Sequence, residues 1–208
     1  GSMKYGAHGE TKIGYAKKIL ATLMYLAGQQ GDAVGLVCAA DKLGVQIPAR
    51  RNPAHLRAIF DTLSEVEPQG ETGLIDALHA VAEQTAQRAL VVVVSDLFVS
   101  PEDLAGCFQH LRFRKHDVAV FHLLENAELD FDFDRPTRFV DLEGGSSLLI
   151  EPTAVRREYA DVLHAYLDGL DTAVREAAVD YQRVCIDQPH GDLLARFLLG
   201  RLPRRRGK

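Results

Sequence analysis

The stretch Ala89-Leu90-Val91-Val92-Val93-Val94-Ser95-Asp96 decides the fold. Its apolar run is dominated by β-branched valine, is short for a helix and has no polar face, as expected of a strand covered on both sides. Such strands belong to parallel sheets, whose crossover connections lay helices over both faces. The run closes on Ser95-Asp96, so a carboxylate stands at the carboxyl end of a buried strand, where α/β sheets open their ligand crevices.

Outward from that strand, helix and strand signals alternate. Downstream, Ser100-Pro101-Glu102-Asp103 supplies a cap, a first-turn proline and early acids, and residues 118–124 form the next strand. Upstream, Leu74, Ala77, Leu78 and Val81 recur at helical spacing behind the loop Gly70-Glu71-Thr72-Gly73. Residues 33–39 and Val45-Gln46-Ile47 read as a hairpin, and Asn52-Pro53 opens a helix running to about residue 66. From 11 to 30, Ile13, Ala16, Ile19, Leu20, Leu23, Met24 and Ala27 make an amphipathic helix, with Lys12, Lys17 and Lys18 mostly off its apolar face. Toward the end come a hairpin of residues 138–142 and 147–150, a helix from about 153 to 180, a strand at 183–186 and a helix at 191–199. The class is α/β, a mostly parallel sheet with helices on both faces. It is one domain over residues 1–208 with a hairpin insertion at about 137–151 and a basic tail at 201–208.

Composition agrees. The 208 residues are 47% hydrophobic and carry 24 basic against 29 acidic side chains, which excludes disordered and fibrous classes. No run approaches the ~18 apolar residues of a membrane span and no signal-peptide pattern opens the chain, so a cytoplasmic location is expected. Six of the 24 basic residues lie in the last thirteen positions, leaving 18 against 29 acids elsewhere, a balance that argues against nucleic acid as partner. Cys38, Cys107 and Cys185 lie far apart with no zinc-ligand spacing and read as inert buried thiols.

Two loops could carry chemistry. The Thr72 hydroxyl and the Asp96 carboxylate are oxygen ligands of the kind a hard ion such as Mg²⁺ accepts, although a helix cap explains Thr72 and a turn role explains Asp96 without any metal. His55, His79, His110, His116, His122 and His164 read as packing or surface residues, and His190 could face the crevice without being catalytic. The acidic run Glu125, Glu128, Asp130, Asp132 and Asp134 reads as a solvated connection whose Phe131 and Phe133 tuck onto the core, with a partner surface second.

Gly70-Glu71-Thr72-Gly73-Leu74-Ile75-Asp76-Ala77-Leu78, the Val91 to Phe98 segment, the helix from Lys12 and the following Gly31-Asp32-Ala33-Val34-Gly35-Leu36 resemble a von Willebrand factor A-like domain, specifically the bacterial "domain of unknown function 58" family. The resemblance implies a Rossmann-like sheet ordered 3-2-1-4-5-6 and a metal-ion-dependent adhesion site made from Asp-x-Ser-x-Ser plus a later Thr and Asp. Thr72 and Asp96 match those last two positions. The strand bearing Asp-x-Ser has no counterpart here; Ser2 falls where its last serine would be, yet Gly1-Ser2 before Met3 is also a common remnant of tag removal. The expectation is a domain lacking its first central strand, with the strand of 33–39 either moved against that of 89–94 or the gap closed by another chain, including a homo-oligomer through exposed strand edges.

The implied function is a non-enzymatic interaction or adaptor module working with a MoxR-type AAA+ ATPase in complex assembly or maturation. Mg²⁺, or Mn²⁺ or Ca²⁺, would accept a carboxylate from a protein ligand, bound weakly by this chain and fully by a longer native protein. The competing reading is a metal-assisted hydrolase or phosphoryl-transfer enzyme using Asp96 with His190 or Asp187.

Overall fold

Strand β4 (Asp117–Leu124) is the spine of the molecule, and every residue in it after Asp117 is buried. It pairs in parallel with β3 (Leu90–Ser95) on one side and β7 (Asp180–Cys185) on the other, with Val91 opposite Val118, Ser95 opposite His122, and Phe121 opposite Gln182. The computed structural model that shows this describes residues 2–6, 9–39, 43–68, 73–131, 133, 135, 137–140 and 147–201.

Alternation along β4 divides the main core in two. Val118 and Val120 join Leu78 of α3 (Leu74–Gln84), Phe108 and Leu111 of α4 (Pro101–Phe113), and Leu170 of α6 (Pro152–Glu176). On the other face Ala119, Phe121 and Leu123 meet Tyr15 and Ile19 of α1 (Lys12–Gln29), and Leu193 and Phe197 of α7 (His190–Arg201). Phe121 is fully buried with its ring edge-on to Phe197 at 5.0 Å. Burial of that size contributes about 3 kcal/mol. Helices thus cover both faces, as the valine run demands.

A third, separate core holds the antiparallel ribbon of β1 (Val34–Ala39) and β2 (Leu43–Arg50). Val34 and Leu36 pack with Met24 of α1 and with Ile59 and Leu63 of α2 (Pro53–Glu65). Register shifts between Val34 and Leu36 at Gly35, where a Cβ would come within 2.8 Å of the Ile47 carbonyl oxygen, so only glycine fits. The expected single sheet is therefore corrected: β1 with β2 and β3 with β4 and β7 form separate sheets, and β1 has not moved into register with β3. The physical reason is that the side chains of β1 are anchored on α1 and α2 instead of on the strands of the larger sheet.

β5 (Thr137–Val140) and β6 (Ser147–Ile150) pair antiparallel, as expected for the insertion. The acidic connection contains a short helix that the sequence reading missed, α5 (Asn126–Asp130), closed by a capping box in which Glu125 and Glu128 each satisfy the other's backbone. Phe131 does tuck inward, stacking on Tyr159 at 4.4 Å. Helix α6 stops at Glu176 instead of continuing to 180. Its end is a left-handed turn at Ala178 (φ 50°), with the Ala178 N–H donating to the Arg175 carbonyl and the Val179 N–H to Val174. This arrangement normally falls to glycine, so an alanine hid it.

Candidate functional site at the strand ends

The β3 strand ends in a tight, buried turn. Ser95 and Asp96 are each 7% exposed and Leu97 not at all, whereas Phe98 projects into solvent. Leu97 holds a left-handed backbone (φ 52°), a conformation that costs a non-glycine residue about 1 kcal/mol. Its N–H donates to Ser95 Oγ at 3.0 Å, and its carbonyl accepts from the Tyr166 hydroxyl. The strain is thus held in place by hydrogen bonds from two elements.

Asp96 Oδ1 lies 3.5 Å from the Ser95 hydroxyl, while Oδ2 is buried and has no hydrogen-bond partner. The nearest cation is Lys12 Nζ, 3.9 Å from Oδ2. That ammonium is committed elsewhere, to Glu128 Oε1 at 2.5 Å, and Glu128 Oε2 accepts from the Glu125 N–H at 2.9 Å. Lys12 is 1% exposed, although its place in the sequence put it off the apolar face. A lysine in the first turn opposes the helix dipole, so the two carboxylates are what hold it there. Beside this group, burial followed by the charges of Glu125 and Glu128 pushes the Tyr5 phenol up.

At the ends of β4 and β7 a cleft of about 420 Å³ opens, lined by Glu10, Tyr15, Glu125 and residues 186–190. Asp187 and His190 line it and Asp96 does not, so the residues that a hydrolase would combine lie in two places. Burial, then the charges of Asp187 and Glu10, push the Tyr15 phenol up to about 12. Among the described residues no group of three or more His, Cys, Asp or Glu side chains is arranged to hold a metal ion.

The model of the protein family of unknown function DUF58 matches residues 1–166. The chain belongs to the DUF58 family. Two solved structures share its fold. An aerotolerance-related membrane protein from Bacteroides fragilis aligns at TM-score 0.61 and 16% identity, over 95% of this chain and 92% of that one. The conserved hypothetical protein BatB from Bacteroides thetaiotaomicron aligns at TM-score 0.59 and 14% identity, over 94% and 89%. No curated protein matches the chain.

Within this DUF58 domain the expected site residues fare differently. Asp96 is where the strand-end rule put it. Thr72 lies outside the described residues; the cap of α3 is Gly73, which makes no side-chain capping bond. The observation that bears on the expected Mg²⁺ is the Asp96 oxygen that has no hydrogen bond, an anionic oxygen of the kind a hard cation accepts, with the Lys12 ammonium 3.9 Å away. Among the described residues no helix is long and apolar enough to cross a membrane. The sequence reading missed Lys12 and Glu128, whose signals were a first-turn lysine and two glutamates at capping-box spacing.

A second polar group joins histidines that the sequence assigns to packing or surface. Between α3 and α4, Cys107 Sγ lies 3.4 Å from His79 Nε2, His79 Nδ1 lies 2.9 Å from His110 Nδ1, and His110 Nε2 lies 2.9 Å from Glu83 Oε1. One proton assignment satisfies the whole chain, with each member donating to the next. Burial pushes the Cys107 thiol up to about 11, which suits an inert role.

Proposed function

We propose that this chain is a protein-interaction module, of the von Willebrand factor A-like kind, rather than an enzyme. The observation that carries the reading is the buried Asp96 oxygen that has no hydrogen bond and only the Lys12 ammonium at 3.9 Å, at the end of β3 beside a backbone turn held under strain. In this reading Asp96 and Thr72 are the chain's ligands for a Mg²⁺-class ion of a metal-ion-dependent adhesion site. The bound ion supplies an open coordination position for a carboxylate on the partner. Ser95 holds the turn through its hydroxyl, Leu97 fixes the direction in which the chain leaves it, and Lys12 balances the surrounding acids. The partner proposed on the resemblance is an AAA+ ATPase of the MoxR type, met in the cytoplasm.

Binding of the purified ATPase to the immobilised chain tests this. Affinity should fall about tenfold or more when Mg²⁺ is replaced by EDTA, and equally in Asp96→Asn and Thr72→Ala. Binding that ignores both metal and Asp96 contradicts the reading. Phosphoester turnover lost in Asp96→Asn replaces it with the hydrolase.

A further inference from the structure

The cleft beside β4 and β7 carries chemistry that the Asp96 site does not use. Three carboxylates reach it, from Glu10, Glu125 and Asp187. Glu10 is paired with Lys18. Asp187 accepts from the neutral amide of Asn126 at 2.8 Å, and Glu125 from the Ala127 N–H at 2.8 Å. Neutral donors leave the charge in place, and among the described residues neither Glu125 nor Asp187 takes part in an ion pair. A second, independent feature points the same way. Tyr15 lines the cleft with its side chain 2% exposed, and its hydroxyl has no hydrogen-bond partner. A buried hydroxyl without a partner is unfavourable, and a ligand donor would satisfy it.

We propose that this cleft binds a guanidinium group, the side chain of an arginine presented by a partner protein. Two carboxylates without an ion-pair partner favour a cation over a neutral or anionic ligand. A single metal ion does not suit them, because no three ligands converge among the described residues. A planar fork of five N–H donors has enough donors for Glu125 and Asp187, which leave different strands, and for the Tyr15 oxygen, where an ammonium offers three. Guanidinium is also weakly hydrated and suits a wall containing the Tyr15 and His190 rings, whose centroids are 6.3 Å apart and edge-on. The N-terminus of α7 opens here and favours anions. Its partial charge of about one half is smaller than the two carboxylates, and Asp192 in its first turn already answers it.

Asp96 does not line the cleft, so this inference stands apart from the metal reading, and its test is run in EDTA. The chain, labelled with ¹⁵N, is titrated with N-acetyl-arginine amide, and in parallel with the citrulline and lysine analogues. Saturable shifts over residues 186–190 with arginine, weaker ones with lysine and none with citrulline are expected. Asp187→Asn, at an exposed position that keeps its acceptor for Asn126, should weaken arginine about tenfold. Tyr15→Phe should weaken it by a smaller factor. Citrulline binding as well as arginine, lysine binding as tightly, no saturable shift, or an unchanged affinity in Asp187→Asn each overturns the proposal.

Discussion

Two polar groups in this fold differ in how their members are paired: one runs from buried Cys107 out to exposed Glu83, the other is buried around Asp96. The chain from Cys107 through His79 and His110 to Glu83 has a partner for every nitrogen. The group around Asp96 does not: one carboxylate oxygen has no hydrogen bond, and the lysine that pairs with it at 3.9 Å is hydrogen-bonded to Glu128 instead. A satisfied network locks α3 to α4 and asks for nothing more. An unsatisfied one at a strand end, on a turn with a left-handed leucine, is the group on which the proposed binding role rests.

The largest effect that can break this comparison is at Lys12. Lys12→Met removes the ammonium from between Asp96 and Glu128 and should cost about 3 kcal/mol in urea unfolding, because it leaves buried acid uncompensated. Added Mg²⁺ should stabilise both proteins and Lys12→Met more, restoring part of that loss. A variant as stable as the parent, or one that Mg²⁺ leaves untouched, would put the acids of this group on the structural side of the comparison.

Next in size is His122, buried on β4 with its Nδ1 2.6 Å from the Tyr181 hydroxyl. Burial, only partly opposed by Asp96, pushes its imidazole down to about 4. Because the folded value lies below the unfolded one of about 6.5, the unfolded chain binds more protons between them. Stability is therefore complete above pH 6.5 and falls as the pH drops toward 4, by roughly 3 kcal/mol from this residue. Denaturation midpoints across that range should show the slope, and His122→Gln should flatten it.

Smaller still are the effects in the satisfied network. His79→Ala and His110→Ala should each cost about 1 to 2 kcal/mol, and the double variant less than the sum, since the first loss already breaks the chain. Strict additivity in a double-mutant cycle would deny that the network acts as a unit. The smallest change concerns the strand edges. β1 and β3 each lack a second strand partner among the described residues, and neither carries the proline or charge that usually protects an edge. The unprotected edges predict concentration-dependent association of the parent chain in sedimentation, which Val37→Lys, at a position 39% exposed, should abolish while altering stability by no more than about 0.5 kcal/mol. Association that persists would place the contact elsewhere.

The contrast also explains what could be read from the amino-acid order. The valine run, the capped helices and both hairpins are local signals, and each became the expected element. The end of α6 was hidden because alanine occupies a turn that glycine usually announces. Separation of the two sheets was not legible, since it follows from where Val34 and Leu36 find their tertiary partners. Asp96 could be placed by the strand-end rule alone. Lys12 could not, because its burial depends on Glu128, 116 residues away.

The central claim is that Asp96 is a cation ligand held open by the fold. Substoichiometric Mn²⁺ added to the ¹⁵N-labelled chain tests it directly, because the paramagnetic ion broadens the amide signals nearest to it. Signals of residues 95–97 should disappear first, and Asp96→Asn should keep them. Broadening centred elsewhere, or the same loss in Asp96→Asn, would contradict the account.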